Sequence, residues 1–332
     1  MDMSLFFLGT AGSVPSARRG LPAVLVRHGS DRLLFDCGEG TQRQMLRSVG
    51  LPDLHAVFIT HFHADHWLGL PGMLKSFALR ERSEPLSVYG PSGLRELMGV
   101  MRIVYGRRLP YELNIVELEP AEAVSYDGYV VAAIPVRHKA PIAFGYALVE
   151  DSRPGHLDAA LAERLGVTPG PDFGRLQRGE TVAGVKPEQV MGESREGRKV
   201  VISGDTAPCE ALALAAHQAD VLVHEATFAE DEAERAQLTQ HSTARQAAEL
   251  AREAEVRLLA LTHVSSRYAG GELREQARAV FAATEAPRDF DTIEVPFPER
   301  GVATLERWSD RQARERALAQ SGAGTPEPVA SP

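Results

Sequence analysis

The chain has 332 residues, 44% of them hydrophobic and 24% charged, which allows one large domain or two modest ones and excludes general disorder or a collagen-like repeat. No apolar run approaches the ~20 residues that cross a bilayer, and Asp2 stands where an export signal needs a basic residue, so neither membrane nor secretion is expected. The formal net charge of -9, taken alone, argues against a nucleic-acid partner, because a phosphate backbone needs a basic surface.

From the N-terminus, SLFFL (4–8), PAVLV (22–26) and RLLF (32–35) predict buried strands, followed by an amphipathic helix over 40–49. HAVFI (55–59) predicts a further strand, and 67–79 and 92–105 predict helices. YVVAAIPV (129–136) and IAFGYALV (142–149) read as strands, after which the series is interrupted. Residues 151–199 are rich in Gly, Pro and charge, with one short helical pattern at 157–165; loops this long inside a domain are usually functional or mobile. The series resumes with KVVI (199–202), a helix over 207–216, DVLV (220–223), a helix over 242–254, VRLLALT (256–262) and a helix over 272–283. The class is α/β, with sheet in the middle and helices outside. Residues 321–332, SGAGTPEPVASP, have the composition of a disordered tail. Two cysteines, Cys37 and Cys209, cannot build a disulfide framework and predict reduced thiols in a cytoplasmic protein.

The residues at the ends of the apolar runs are more informative. They are Asp36, His61, His138, Asp205, His224 with Glu225, and His263. In α/β sheets ligands bind beyond the carboxyl ends of strands, so these side chains could converge on one rim. The densest cluster is His61-Phe-His63-Ala-Asp65-His66, an HxHxDH pattern between a strand and a helix. Three imidazoles and a carboxylate in six residues exceed what a core absorbs, since each buried polar group needs a partner. With Asp205, His138 and His263 the motif offers seven ligands, enough for two ions sharing a carboxylate. The residues alone leave open which histidine meets which ion.

HxHxDH, a later His, an Asp in GDT and a final His resemble the ligand pattern of the metallo-β-lactamase superfamily. Within it the chain resembles the ribonuclease Z family of tRNA 3′-processing endonucleases. The likeness runs through FLGTAGSVPS (7–16), FDCGEGTQRQ (35–44), ITHFHADHWLGLPG (59–72), PVRHK (135–139), GPDFGRLQRGE (170–180), SGDT (203–206), HEATF (224–228), HST (241–243) and LTHVSSRY (261–268). HxHxDH marks the superfamily, and HEAT with HST and the GP-rich insertion marks the family. The resemblance implies an αββα sandwich over residues 1–320 with an inserted flexible arm at 151–199. It implies one zinc held by His61, His63, His138 and Asp205 and a second by Asp65, His66, Asp205 and His263, with manganese or iron as substitutes. It also implies cleavage of precursor tRNA that leaves a 3′-hydroxyl on the tRNA and a 5′-phosphate on the trailer.

Two cations can stabilise both the attacking and leaving oxygens of an in-line phosphoryl displacement and lower the pKa of bound water to about 7. Asp65 resembles the family's proton acceptor. His241, paired with Glu225, is the candidate proton donor to the leaving oxygen, because a carboxylate beside an imidazole raises its pKa; His224 is the alternative, although its place at a strand end favours a structural role. Asp36 either orients a ligand imidazole from behind or caps the helix that begins near Gly40.

The arm, in the resembling family, grips the tRNA elbow and presents it to the other subunit of a homodimer. Here its GPDFGRLQRG core reads as a stiff hairpin-like turn offering Arg175 and Arg178 to phosphates, while composition alone equally permits a disordered linker. Rival readings are another dinuclear hydrolase of this fold, arylsulfatase-like or a cyclic-nucleotide phosphodiesterase, or a non-catalytic metal-stabilised RNA-binding protein. The charge is uneven: residues 1–108 hold 13 Lys/Arg against 9 Asp/Glu, residues 207–255 hold 3 against 10, and the arm holds 8 of each. RNA is therefore expected along the N-terminal half and the arm.

Overall fold

The structure, a computed structural model, describes residues 2–106 and 108–321. The expected disordered tail, apart from Ser321, lies outside the described residues.

Strands β1 (Met3–Gly9), β2 (Ala23–His28), β3 (Asp31–Phe35), β4 (Ala56–Phe58), β5 (Leu86–Gly90) and β6 (Leu113–Glu117) belong to one sheet. A second sheet takes β7 (Ala123–Tyr126), β8 (Tyr129–Pro135), β9 (Phe144–Glu150), β10 (Lys199–Ile202), β11 (Val221–Glu225), β12 (Leu259–Thr262) and β13 (Thr284–Glu285). The chain then returns to the first sheet with β14 (Thr292–Glu294) and β15 (Thr304–Glu306), giving orders β15-β14-β1-β2-β3-β4-β5-β6 and β13-β12-β11-β10-β9-β8-β7. Alternation along each strand sorts the side chains. In β1, Leu5 and Phe7 join the core between the sheets, while Phe6 and Leu8 pack outward under the helices Thr41–Ser48, Leu70–Leu79 and Leu94–Tyr105. In the second sheet Leu222 and Leu259 face the helices Glu210–Ala216, Ala244–Glu253 and Gly270–Arg278. The result is an αββα sandwich.

Strand direction puts the chemistry on one edge. β3 to β6 are parallel, as are β10 to β13. β8 and β10 are each antiparallel to β9, so they run the same way, and the end of β8 that leads to His138 lies beside the end of β10 that leads to Asp205.

Three expectations need correction. The single helix over 67–79 is two, Ala64–Trp67 and Leu70–Leu79. Between them Gly69 crosses Gly38: a Cβ at 69 would sit 2.1 Å from the Gly38 carbonyl, and one at 38 would sit 2.3 Å from the Asp65 carbonyl. This contact pins the histidine-rich loop against the chain leaving β3. The short strands β5, β6, β7 and β13 to β15 and the helix Trp308–Ser321 were not legible, because strands of two to five residues, several of them half-buried at sheet edges, carry no long apolar run. The GPDFGRLQRG turn is instead a helix, Pro171–Gln177, with proline at its start and Asp172 in its first turn, both of which favour helix initiation. The insertion is no bare linker either, since Ala162, Val167, Leu176, Val182, Val185 and Val190 form a core of their own.

At the insertion's base, Glu150 and Arg198 pair across its two ends. Arg198 donates from Nε to Oε2 at 2.9 Å and from Nη2 to Oε1 at 2.6 Å, and His28 lies 2.7 Å from Oε1. Burial opposes the charge on Glu150, but these donors outweigh it and lower its pKa from 4.5 to about 2. A depressed carboxylate stabilises the fold above its unfolded pKa and loses that contribution as pH falls from about 4.5 towards 2. Glu150→Gln is therefore expected to cost roughly 3 kcal/mol at pH 7, because it strands a buried guanidinium. The gap from the parent protein should narrow between pH 5 and pH 3 in urea melts; a gap independent of pH would count against the ion pair.

Candidate active site

The residues at these strand ends close into a ring around Asp205. Its Oδ2 lies 3.2 Å from His263 Nε2, 3.3 Å from His66 Nε2, and 3.9 Å from the Nε2 atoms of both His61 and His138. Asp65 Oδ2 is 3.4 Å from His263 Nε2 and 3.6 Å from His66 Nε2, and His63 Nδ1 is 3.0 Å from His138 Nε2. All seven sequence candidates are brought together. Groups such as His61 with His63 and His138, His61 with His66 and Asp205, and Asp65 with His66 and His263 each place three ligand atoms within 4.8 Å of one another.

Hydrogen bonds behind the ring fix which nitrogen faces inward. His66 Nδ1 donates to Asp36 Oδ2 at 2.7 Å, while Thr60 gives Asp36 its backbone N–H at 2.8 Å and its hydroxyl at 3.0 Å. Because that hydroxyl proton goes to Asp36, His61 Nδ1, 3.0 Å from Thr60 Oγ1, is the donor there. His138 Nδ1 donates to the Gln240 carbonyl at 3.0 Å, and His263 Nδ1 to Thr227 Oγ1 at 2.8 Å. Four imidazoles thus point bare Nε2 lone pairs at one centre. Asp36 meets His66, not the helix at Thr41, whose N-cap Gly40 has no side-chain partner.

The first loop closes over this ring. Ser13 N–H donates to Asp65 Oδ2 at 2.8 Å, and a Cβ on Gly12 would come within 2.5 Å of His263 Nδ1, so only glycine fits there. Sequence reading missed Thr60, Thr227 and Gln240 as supports. The first two stand beside HxHxDH and inside HEAT, but nothing local links a threonine to an imidazole far along the chain.

Beside the ring, His241 Nδ1 donates to Glu225 Oε1 at 2.7 Å. Glu225 is fully buried and also accepts from Thr206 N at 2.9 Å and from Thr227 N at 3.1 Å, so it cannot swing. Burial disfavours the charged imidazole, but Glu225 outweighs it and pushes His241 up to about 9. His224 alternates to the other face of β11, that of Leu222 under the helices, and its Nδ1 lies 2.7 Å from the Glu225 carbonyl. It does not meet the ring. Arg175 pairs within the insertion, with Glu180 at 2.8 Å and Asp172 at 3.3 Å, and Arg178 lies 3.4 Å from Glu180.

The donor set fits divalent metal ions. Nε2 of His61 and of His66 and Oδ1 of Asp205 are buried with no hydrogen-bond partner, a costly arrangement unless a cation fills the space between them. Imidazole nitrogens with carboxylate oxygens suit zinc, manganese or iron.

The chain belongs to the metallo-β-lactamase superfamily, whose family description matches residues 19–263. Two relatives sharpen this. It is 45% identical over 302 residues to the ribonuclease Z of Methanosarcina mazei, covering 89% of this chain and 99% of that one. It is 48% identical over 303 residues to that of Myxococcus xanthus, covering 89% and 98%. Within the superfamily, then, it is a member of the ribonuclease Z family. The crystal structure of the short form of human tRNase Z superposes with a TM-score of 0.67 at 27% identity, covering 89% of this chain and all of that one.

Proposed function

We infer that the chain is a hydrolase of the endoribonuclease type, cutting the 3′ trailer from precursor tRNA to leave a 3′-hydroxyl on the tRNA and a 5′-phosphate on the trailer. The observation that carries this reading is the His241–Glu225 pair set against the seven-ligand ring, in a chain closely related to proteins named ribonuclease Z. His61, His63, His138 and Asp205 would hold one zinc ion, and Asp65, His66, Asp205 and His263 a second, with Asp205 shared; its Oδ2 lies within 3.9 Å of the Nε2 atoms of His61, His66, His138 and His263. When bound, the two ions would polarise the scissile phosphate and supply hydroxide at neutral pH.

The protein's own residues do the rest. Asp65, held by the Ser13 N–H, orients the attacking water and takes up its proton. His241, with Nδ1 occupied by Glu225, keeps Nε2 as the end that can protonate the departing 3′ oxygen. A groove of about 780 Å³ is lined by six arginines, of which Arg267, Arg274 and Arg307 are paired with Glu232, Glu275 and Asp291, while Arg18, Arg19 and Arg288 add positive charge that suits an RNA strand. Its arginines come from both ends of the chain, and an RNA strand bound there would meet C-terminal residues as well as the N-terminal half.

His241→Ala is expected to lower kcat roughly 10²–10⁴-fold, the usual weight of a general acid, with metal content unchanged. Loss of metal in that variant would make His241 structural. Incubating the metal-loaded protein with one CCA-less and one CCA-containing precursor tRNA and mapping both ends tests the function itself; uncut RNA, or cuts without a 3′-hydroxyl, would overturn it.

Val100, Ile103 and Val104 are exposed on the helix Leu94–Tyr105, and this apolar face supports a homodimer that sedimentation would detect. Both thiols are free, which agrees with the cytoplasm as its compartment, and no described helix is long and apolar enough to cross a membrane.

A further inference from the structure

The insertion leaves the second sheet through a narrow neck. Arg153 and Arg195 exchange backbone hydrogen bonds of 2.7 and 2.8 Å, and Leu157 bridges to Met191. A two-stranded ribbon of this length is marginally stable alone and would bend freely at its base. Something outside the neck must therefore fix its angle if the insertion is to present RNA reproducibly to a distant ring.

That contact comes from the turn Pro298–Arg300, just after β14 of the other sheet. Glu299 accepts from both strands of the neck: Arg153 Nη1 at 2.8 Å and Nη2 at 3.0 Å, and Arg195 Nη1 at 3.0 Å. Phe297 stands between two guanidiniums, with Arg153 Cζ 3.6 Å and Arg198 Cζ 4.1 Å from its ring centre. Those arginines flank the insertion on either side. A half-exposed ion pair adds little to global stability. A bidentate pair joined to a second arginine and an aromatic ring is, however, directional, and direction is what a hinge lacks.

We propose that Glu299 and Phe297 form a clasp that sets the angle of the insertion relative to the catalytic body, making Glu299 a positioning residue for the RNA substrate. The inference rests on reading the insertion as the RNA-gripping arm. If arm and ring hold one RNA at two points, their joint affinity depends on how often the arm points correctly, and releasing the hinge lowers that effective concentration.

The test compares the parent protein, Glu299→Ala, Arg153→Ala, the double variant, and a chain with residues 158–190 replaced by Asn-Gly. Each is assayed on precursor tRNA and on bis(p-nitrophenyl) phosphate. Glu299→Ala is expected to raise KM for precursor tRNA roughly tenfold, leave kcat within about twofold, and leave the small diester unaffected. Adding Arg153→Ala should change KM little further, because both remove one interaction. An unchanged KM, a parallel loss on the small diester, or fully additive effects would each overturn the clasp. If the Asn-Gly chain cleaves precursor tRNA as well as the parent does, the arm reading itself fails; if that chain is impaired and Glu299→Ala is not, only the clasp fails.

Discussion

Asp205→Ala is expected to strip the site of divalent metal and to reduce cleavage of precursor tRNA and of bis(p-nitrophenyl) phosphate alike by at least ~10⁴-fold, since every 1.36 kcal/mol of lost transition-state stabilisation is a factor of ten. The reason is its place. One carboxylate oxygen lies within 3.9 Å of five imidazole nitrogens, those of His61, His66, His138, His241 and His263, which places it at the centre of the ring. Removing it leaves the buried Nε2 atoms of His61 and His66 without the carboxylate that lies nearest to the centre of the ring, with Asp65 near His66 alone. Metal analysis of the purified variant, together with a thermal melt to establish folding, checks the prediction. Metal retained at the parent's level with activity within tenfold of the parent would sink the shared-ligand reading, and Asp205→Asn, which keeps the shape and removes the charge, should behave like the alanine variant.

The second large effect is selective. Replacing residues 158–190 by Asn-Gly is expected to lower kcat/KM for precursor tRNA ~10²–10⁴-fold, the range by which a second tethered contact raises avidity. Hydrolysis of bis(p-nitrophenyl) phosphate should stay within about twofold. The cut falls just inside the Leu157–Met191 bridge, where two residues of Asn-Gly type can close a hairpin. The excised part carries its own small core around Ala162, Leu176 and Val190, so the main cores lose nothing. Equal loss on both substrates would mean that the insertion supports the ring and does not hold RNA.

The candidate ligand types and their location at strand ends were readable along the chain, because both are local. An apolar run sets a buried strand, and a polar residue straight after it must leave the core. HxHxDH, Asp205, His138 and His263 were legible for that reason, whereas the split that buries Leu5 and Phe7 on one face of β1 and Phe6 and Leu8 on the other could not be read from a wholly apolar run. The charge count was legible too, but not its meaning, since arginines 18 and 307 meet in one groove only after the chain has folded.

The remaining pairings came from strand order and packing. Asp36 chose His66 over a helix N-terminus because the parallel pairing of β3 with β4 sets the two loops side by side. His241 and not His224 joined Glu225, because adjacent residues of a strand face opposite ways and β11 turns Glu225 towards the ring. The insertion became helical around its own core, where composition allowed a linker, because six scattered apolar residues could find one another only in three dimensions. Glu299 reached Arg153 across 146 positions of sequence. Local periodicity carries no information about such pairs: they depend on strand order, direction and register, which are set by how two sheets pack face to face.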